Sequence, residues 1–127
     1  MKWIFIGLAL LVVLFLVYIK YSLSQNVNSL NPEAFRQKMA NSQILDVRTS
    51  REVANGKIKG AVVANIMSGD FKDRVAKLNK EEPVLVYCQS GVRSAKAAND
   101  LQHMGFTEVY DLKGGMSAWR AAGLPVE

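Results

Sequence analysis

In the stretch Val84-Leu85-Val86-Tyr87-Cys88-Gln89-Ser90-Gly91-Val92-Arg93-Ser94-Ala95, four apolar residues deliver a cysteine into a short polar segment that leads into a helix. A continuous apolar run of this length is the pattern of a strand covered on both faces, as in a parallel sheet packed between helices. Ligands of such sheets bind outside the carboxyl ends of the strands, which is where this order of strand, loop and helix puts Cys88. The loop is short enough for the N–H groups of Gln89, Ser90, Gly91, Val92 and Arg93 to point inward as an anion-binding nest, capped by the start of the next helix. Gly91 permits the dihedrals such a turn needs, Arg93 adds a positive charge, and Ser94 opens the helix and supports the loop.

A thiol in that cradle is favoured as thiolate by amide donors, helix dipole and guanidinium together. Cys88 is therefore read as a nucleophile activated by a lowered pKa, and a buried structural cysteine is the weaker reading. It is the only cysteine, so no intrachain disulfide or cysteine-rich zinc site can form, and neither a metal nor an organic cofactor is expected. The single histidine, His103, lies far along the following helix, out of reach as a general base.

Outward from this loop, strands and helices alternate. Asn31-Pro32-Glu33 is a helix start, with Asn at the N-cap, Pro at the first position and an acid in the first turn. Residues 43–48 read as a strand ending in charged residues, and Thr49-Ser50-Arg51-Glu52 as a capping box whose helix stops at Asn55-Gly56. Residues 61–66 read as a strand, and residues 70–79 as a helix capped by Asp70 with Phe71, Val75 and Leu78 on one face. A helix is expected from Ser94 to Met104, with Ala95, Ala98, Leu101 and Met104 inward and Gly105 as its stop. A last strand over residues 107–112, a Gly114-Gly115 turn and a helix over residues 116–122 complete the chain. The class is α/β, a layered domain with a mostly parallel sheet of about five strands flanked by helices.

The first residues are of another kind. Residues 3–19 carry no charged side chain and are bracketed by Lys2 and Lys20, with Trp3, Tyr18 and Tyr21 where interfacial aromatics belong. Residues 1–23 are expected to be one transmembrane anchor, the alternative being a signal peptide cleaved near Ser22-Leu23-Ser24. Residues 24–30 read as a polar linker and residues 31–127 as the domain. Arg36 and Lys38 join Lys20 on the domain side, so the positive-inside rule puts the domain in the cytoplasm; cleavage would make it periplasmic or secreted. The net charge of +5 comes from basic residues scattered without interleaved aromatics, which argues against nucleic acid and fits a face beside an anionic leaflet.

The loop resembles the active-site loop of the rhodanese family of sulfurtransferases. Leu45-Asp46-Val47-Arg48 is similar to that family's first strand end, Gly56-Lys57-Ile58-Lys59-Gly60-Ala61 to its Gly-His-Ile-Pro-Gly-Ala turn, and Leu112-Lys113-Gly114-Gly115-Met116-Ser117-Ala118-Trp119 to its closing segment. Lys57 and Lys59 depart from the family's histidine and proline. The resemblance implies that Cys88 takes a sulfane sulfur from a donor such as thiosulfate as a persulfide and passes it to cyanide or a thiol. It also implies that residues 89–93 stabilise the persulfide and the donor oxyanion, that Asp46 and Arg48 order the loop through an ion pair, and that Trp119 is core or pocket wall. Two rivals stand beside this reading: a membrane-tethered binding or sulfur-carrier module without turnover, and a cysteine phosphatase. Related phosphatase loops hold five residues between cysteine and arginine, and this one holds only Gln89, Ser90, Gly91 and Val92.

Overall fold

The computed structural model describes residues 1–25 and 28–127. Five strands form one parallel sheet in the order β1-β5-β4-β2-β3, with β1 at Asn28–Leu30, β2 at Gln43–Asp46, β3 at Val62–Val63, β4 at Val84–Tyr87 and β5 at Val109–Leu112. The helices are α1 (Lys2–Gln25), α2 (Pro32–Lys38), α3 (Ser50–Ala54), α4 (Phe71–Val75), α5 (Val92–His103) and α6 (Gly115–Ala121). The expected α/β layered fold is the one observed.

β4 has β2 on one side and β5 on the other, and all four of its residues are buried. Its side chains alternate between two cores, which is why the run is apolar throughout. Val84, Val86 and Cys88 join Leu45, Val47, Phe71, Val75, Ala97, Ala98 and Leu101 on the side of α4 and α5. Leu85 and Tyr87 join Phe35, Ile44, Ile58, Met116 and Trp119 on the side of α2 and α6. Phe35 and Trp119 meet edge to face at 6.0 Å, and the Trp119 indole N–H donates to the Pro125 carbonyl, so Trp119 is core.

The helix starts follow their sequence signals. The Asn31 side chain accepts from the Ala34 N–H ahead of Pro32, and Thr49 and Glu52 form the reciprocal capping box. Several boundaries differ from expectation: β2 ends at Asp46 and β5 begins at Val109, each two residues short of its expected run. Asn28–Leu30, expected in a linker, pairs with β5, because main-chain ladders do not depend on side-chain hydrophobicity and a run of three residues, Asn-Ser-Leu, is too short to carry a pattern; residues 26 and 27 of that linker lie outside the described residues. β3 keeps only two residues of its apolar run. α4 stops at Val75, and i to i+3 turns carry the chain on, with Leu78 still against the core; Asp70 precedes it but bonds Ser68 and Arg74 rather than capping. α5 begins at Val92, two residues before Ser94, because Gly91 at φ 104° turns the chain into it, which leaves Ala95 exposed and buries Ala97 instead.

α1 spans about 36 Å at 1.5 Å per residue, against a hydrocarbon core of about 30 Å. Its Lys2–Ile19 segment is apolar and not buried against the rest of the chain, which suits a membrane anchor and equally a signal sequence.

Candidate active site

The chain leaves β4 at Tyr87 and turns within four residues into α5, and this turn is locked from several sides. The Cys88 and Gln89 carbonyls accept from the Met116 and Ser117 N–H groups at the start of α6, at 2.8 and 3.1 Å. That approach needs Gly115, at φ 59°, since a Cβ there would lie 2.6 Å from the Cys88 carbonyl oxygen.

Inside the turn the Cys88 side chain is buried, accepts the Gly91 N–H at 3.0 Å on Sγ and lies 3.4 Å from Ser94 Oγ. Burial pushes the thiol pKa up, but the Ser94 hydroxyl and the N–H groups of Ser94, Gly91 and Ser90 outweigh it, and the thiol sits below its ordinary range. Ser94 is itself fully buried and reaches the Gly91 carbonyl at 3.2 Å and Asp111 Oδ1 at 2.5 Å. Ser90 and Val92 are exposed at the mouth, Gly91 is half-buried, and Gln89 donates from Nε2 to Ser117 Oγ at 3.3 Å.

Arg93 is not a free cation over the loop. Its Nη1 and Nη2 donate to the two Glu52 oxygens at 2.7 and 2.8 Å, in the bidentate geometry that makes such pairs strong. The Arg93 bonds, opposed by burial and aided by Thr49, pull Glu52 down to about 2. The charge expected to bind the donor is therefore matched within the protein.

Asp46 and Arg48 form the expected ion pair, at 2.8 Å and with both side chains buried. Every guanidinium nitrogen of Arg48 is used: Nε on Asp46, Nη1 on the Glu52 carbonyl and on Gln89 Oε1 at 3.2 Å, Nη2 on Asp46 and on the Gly56 carbonyl. Asp46 Oδ2 also accepts the Tyr87 hydroxyl at 2.7 Å, and that hydroxyl accepts the Ile58 N–H. One buried pair thus ties the end of β2, the turn at 56–58 and the loop. A cavity of about 430 Å³ opens beside it, lined by Arg48, Glu52, Asn55, Gln89 and Arg120. His103 is exposed on the last turn of α5, with its ring nitrogen on the Asn99 carbonyl.

A buried thiol in an N–H-rich turn after a central parallel strand is the arrangement that the resemblance predicts. Residues 31–122 match the rhodanese-like domain family. The chain belongs to that family. This rhodanese-like domain is 33% identical over 103 residues to a sulfurtransferase of Allochromatium vinosum, covering 79% of this chain and 94% of that protein. It is 41% identical over 99 residues to thiosulfate sulfurtransferase 16, chloroplastic, of Arabidopsis thaliana, covering 70% and 82%. It resembles the crystal structure of a rhodanese-related protein from Thermoplasma volcanium with a TM-score of 0.72 at 27% identity, covering 79% and 97%.

The structure brings all nine sequence-predicted site residues to the rhodanese-like loop or its base, and adds three that were not read there: Glu52, Ser117 and Asp111. Glu52 was legible only as a helix cap, since nothing local links it to a partner 41 positions away. Asp111 did carry a signal, a carboxylate between Tyr110 and Leu112 in an otherwise apolar strand.

Proposed function

We propose that the protein is a sulfurtransferase that carries sulfane sulfur on Cys88. The observation supporting this is the buried Cys88 thiol, below its ordinary pKa range without a histidine, facing the N–H of Gly91. Cys88 Sγ, losing its proton, attacks the sulfane sulfur of a donor such as thiosulfate, a new S–S bond forms, and sulfite leaves with the electron pair of the broken one. The N–H groups of residues 89–93 hold the persulfide anion. A thiol or cyanide then takes the outer sulfur and releases Cys88. No cofactor takes part. The names of the relatives support sulfur transfer, and that of the Arabidopsis relative supports thiosulfate.

α1 serves as a single-pass anchor that holds the loop near a membrane, with the domain on the cytoplasmic side as Lys20, Arg36 and Lys38 favour. The test of the chemistry is the intact mass of the full chain in detergent after incubation with thiosulfate. A gain of one sulfur atom that is lost in Cys88→Ser, with cyanide-dependent thiocyanate formation lost in the same variant, is expected. No mass gain, or full turnover in Cys88→Ser, overturns the proposal. Mass gain without turnover identifies a sulfur carrier, and Cys88-dependent hydrolysis of an aryl phosphate identifies a phosphatase; either refutes the transferase.

A further inference from the structure

Cys88, Ser94 and Asp111 form an unbroken hydrogen-bonded chain inside the protein. Cys88 Sγ lies 3.4 Å from Ser94 Oγ, and Ser94 Oγ lies 2.5 Å from Asp111 Oδ1. The Ser29 hydroxyl of β1 donates to the other Asp111 oxygen at 3.1 Å. Cys88 and Ser94 are fully buried and Asp111 is 4% exposed. On β5, Asp111 falls between Tyr110 and Leu112, which face α2 and α6, so it points with Val109 toward α5 and the thiol.

A buried carboxylate is ordinarily matched by a cation. Among the described residues Asp111 forms no ion pair. On the elements packed around it, Arg93 of α5 is held by Glu52, Lys96 by Asp100, and His103 by the Asn99 carbonyl; β1 carries no charge, and β4 leads to Cys88 alone. Across the sheet, the Lys38 ammonium of α2 sits over the Tyr110 ring and Arg36 reaches Glu33. What Asp111 has instead is Ser94, and a serine hydroxyl has one proton to give. While Asp111 is ionised, Ser94 gives that proton to the carboxylate and accepts from the Cys88 thiol; the bond by which Ser94 favours the thiolate forms when Asp111 holds a proton of its own. Once Asp111 is protonated, it donates to Ser94 Oγ and frees the Ser94 proton for a thiolate.

We propose that Ser94 and Asp111 are a buried proton relay for Cys88, taking the thiol proton as the sulfur attacks and returning it when the thiol is released. This rests on the reading of Cys88 as the reacting atom. In the attack the Cys88 proton passes to Ser94 Oγ, the Ser94 proton passes to Asp111 Oδ1, and the Cys88 electron pair forms the S–S bond while sulfite leaves with its own. When the acceptor takes the sulfur, the bonding pair returns to Sγ and both protons move back, so the buried site holds one negative charge throughout. Burial raises Asp111 above the ordinary carboxylate range against the Ser94 and Ser29 bonds, which narrows its gap to the thiol. Ser94 touches the reacting sulfur, and Asp111 acts on Cys88 through Ser94.

Because the chain has a single cysteine, the rate of iodoacetamide alkylation of the full chain in detergent reports Cys88 alone. For the wild type, the profile from about pH 4 to about pH 10 is expected to show two inflections with a shoulder between them, the behaviour of two coupled sites sharing a proton. Asp111→Asn and Ser94→Ala should each show one inflection, below which the rate falls about tenfold per pH unit. A single inflection in the wild type, or a shoulder that survives in whichever variant folds, overturns the relay. A second readout needs no variant: alkylating Cys88 should shift the Asp111 carboxyl titration followed by carbon-13 NMR, and an unshifted curve also overturns it. Alkylation uses no sulfur donor, so a two-step profile without persulfide mass would refute the proposed activity and leave the relay standing.

Discussion

Replacing Asp46 by Asn tests the pair on which the site is built. Asp46 Oδ1 accepts from the Arg48 N–H and Nε at 3.0 Å each, and Oδ2 from Arg48 Nη2 at 2.8 Å and the Tyr87 hydroxyl at 2.7 Å. An asparagine can keep the first set, but its NH₂ then faces two donors, and the buried Arg48 charge loses its counter-ion. Breaking one partner of a buried pair costs about 3–5 kcal/mol, a large share of the roughly 5–15 kcal/mol that holds a domain together. At about 2 kcal/mol per molar urea, the unfolding midpoint should fall by about 2 M. Equilibrium urea denaturation of the full chain in detergent, followed by fluorescence, measures this, since Trp119 is buried in the folded domain. The double variant Asp46→Leu/Arg48→Met removes both charges and should regain most of the stability. It should not regain sulfur transfer, because the Arg48 bonds to Gln89 and Gly56 are gone. A midpoint for Asp46→Asn within about 0.5 M of wild type, or a double variant as unstable as the single one, would refute the argument.

Three further outcomes follow from the same geometry. Gly115→Ala places a Cβ 2.6 Å from the Cys88 carbonyl at a positive φ, so a loss of at least about 1–2 kcal/mol in urea unfolding is expected, with slower persulfide formation as the Met116 bond to Cys88 lengthens. Glu52 is depressed in the folded state from 4.5 to about 2, so its contribution is present above about pH 4.5 and lost as the pH falls toward 2; acid unfolding of Glu52→Gln should show a smaller drop over that interval than wild type. A reporter active only in the cytoplasm, fused after Glu127, should be active if α1 is an anchor with the proposed orientation, and an inactive fusion would overturn the cytoplasmic placement.

How much could be read in advance depended on whether the cause was local. β4 announced itself because a strand buried on both faces has no polar position to spare, and Asn31, Pro32, Thr49 and Glu52 marked helix starts through bonds made within three residues. The motif around Asp46 and Arg48 likewise pairs residues two apart. β1 was hidden because its stability comes from the β5 backbone, and no side-chain pattern records which backbone lies alongside. Glu52 with Arg93, and Ser94 with Asp111, are pairs 41 and 17 positions apart that exist only once the sheet order brings β2, β4 and β5 together. The α5 boundary was placed late because Ser94, a good N-cap residue by type, turns its hydroxyl inward to Asp111 and leaves the first turn to follow Gly91.

The way the cations are occupied bears on what the loop can bind, independently of its length. A phosphate group is held best by a guanidinium fork with two free donors. Here the Arg48 fork is filled by Asp46, Gln89 and two carbonyls, and both terminal nitrogens of Arg93 are on Glu52. Recognising phosphate would mean breaking a bidentate pair first. A sulfur anion asks for less: one diffuse charge, met by N–H groups converging on a point, and the Gly91 N–H is already directed at Cys88 Sγ. The occupied cations thus weigh against a phosphate held on the Arg48 or Arg93 fork, and it is Glu52 that keeps Arg93 engaged.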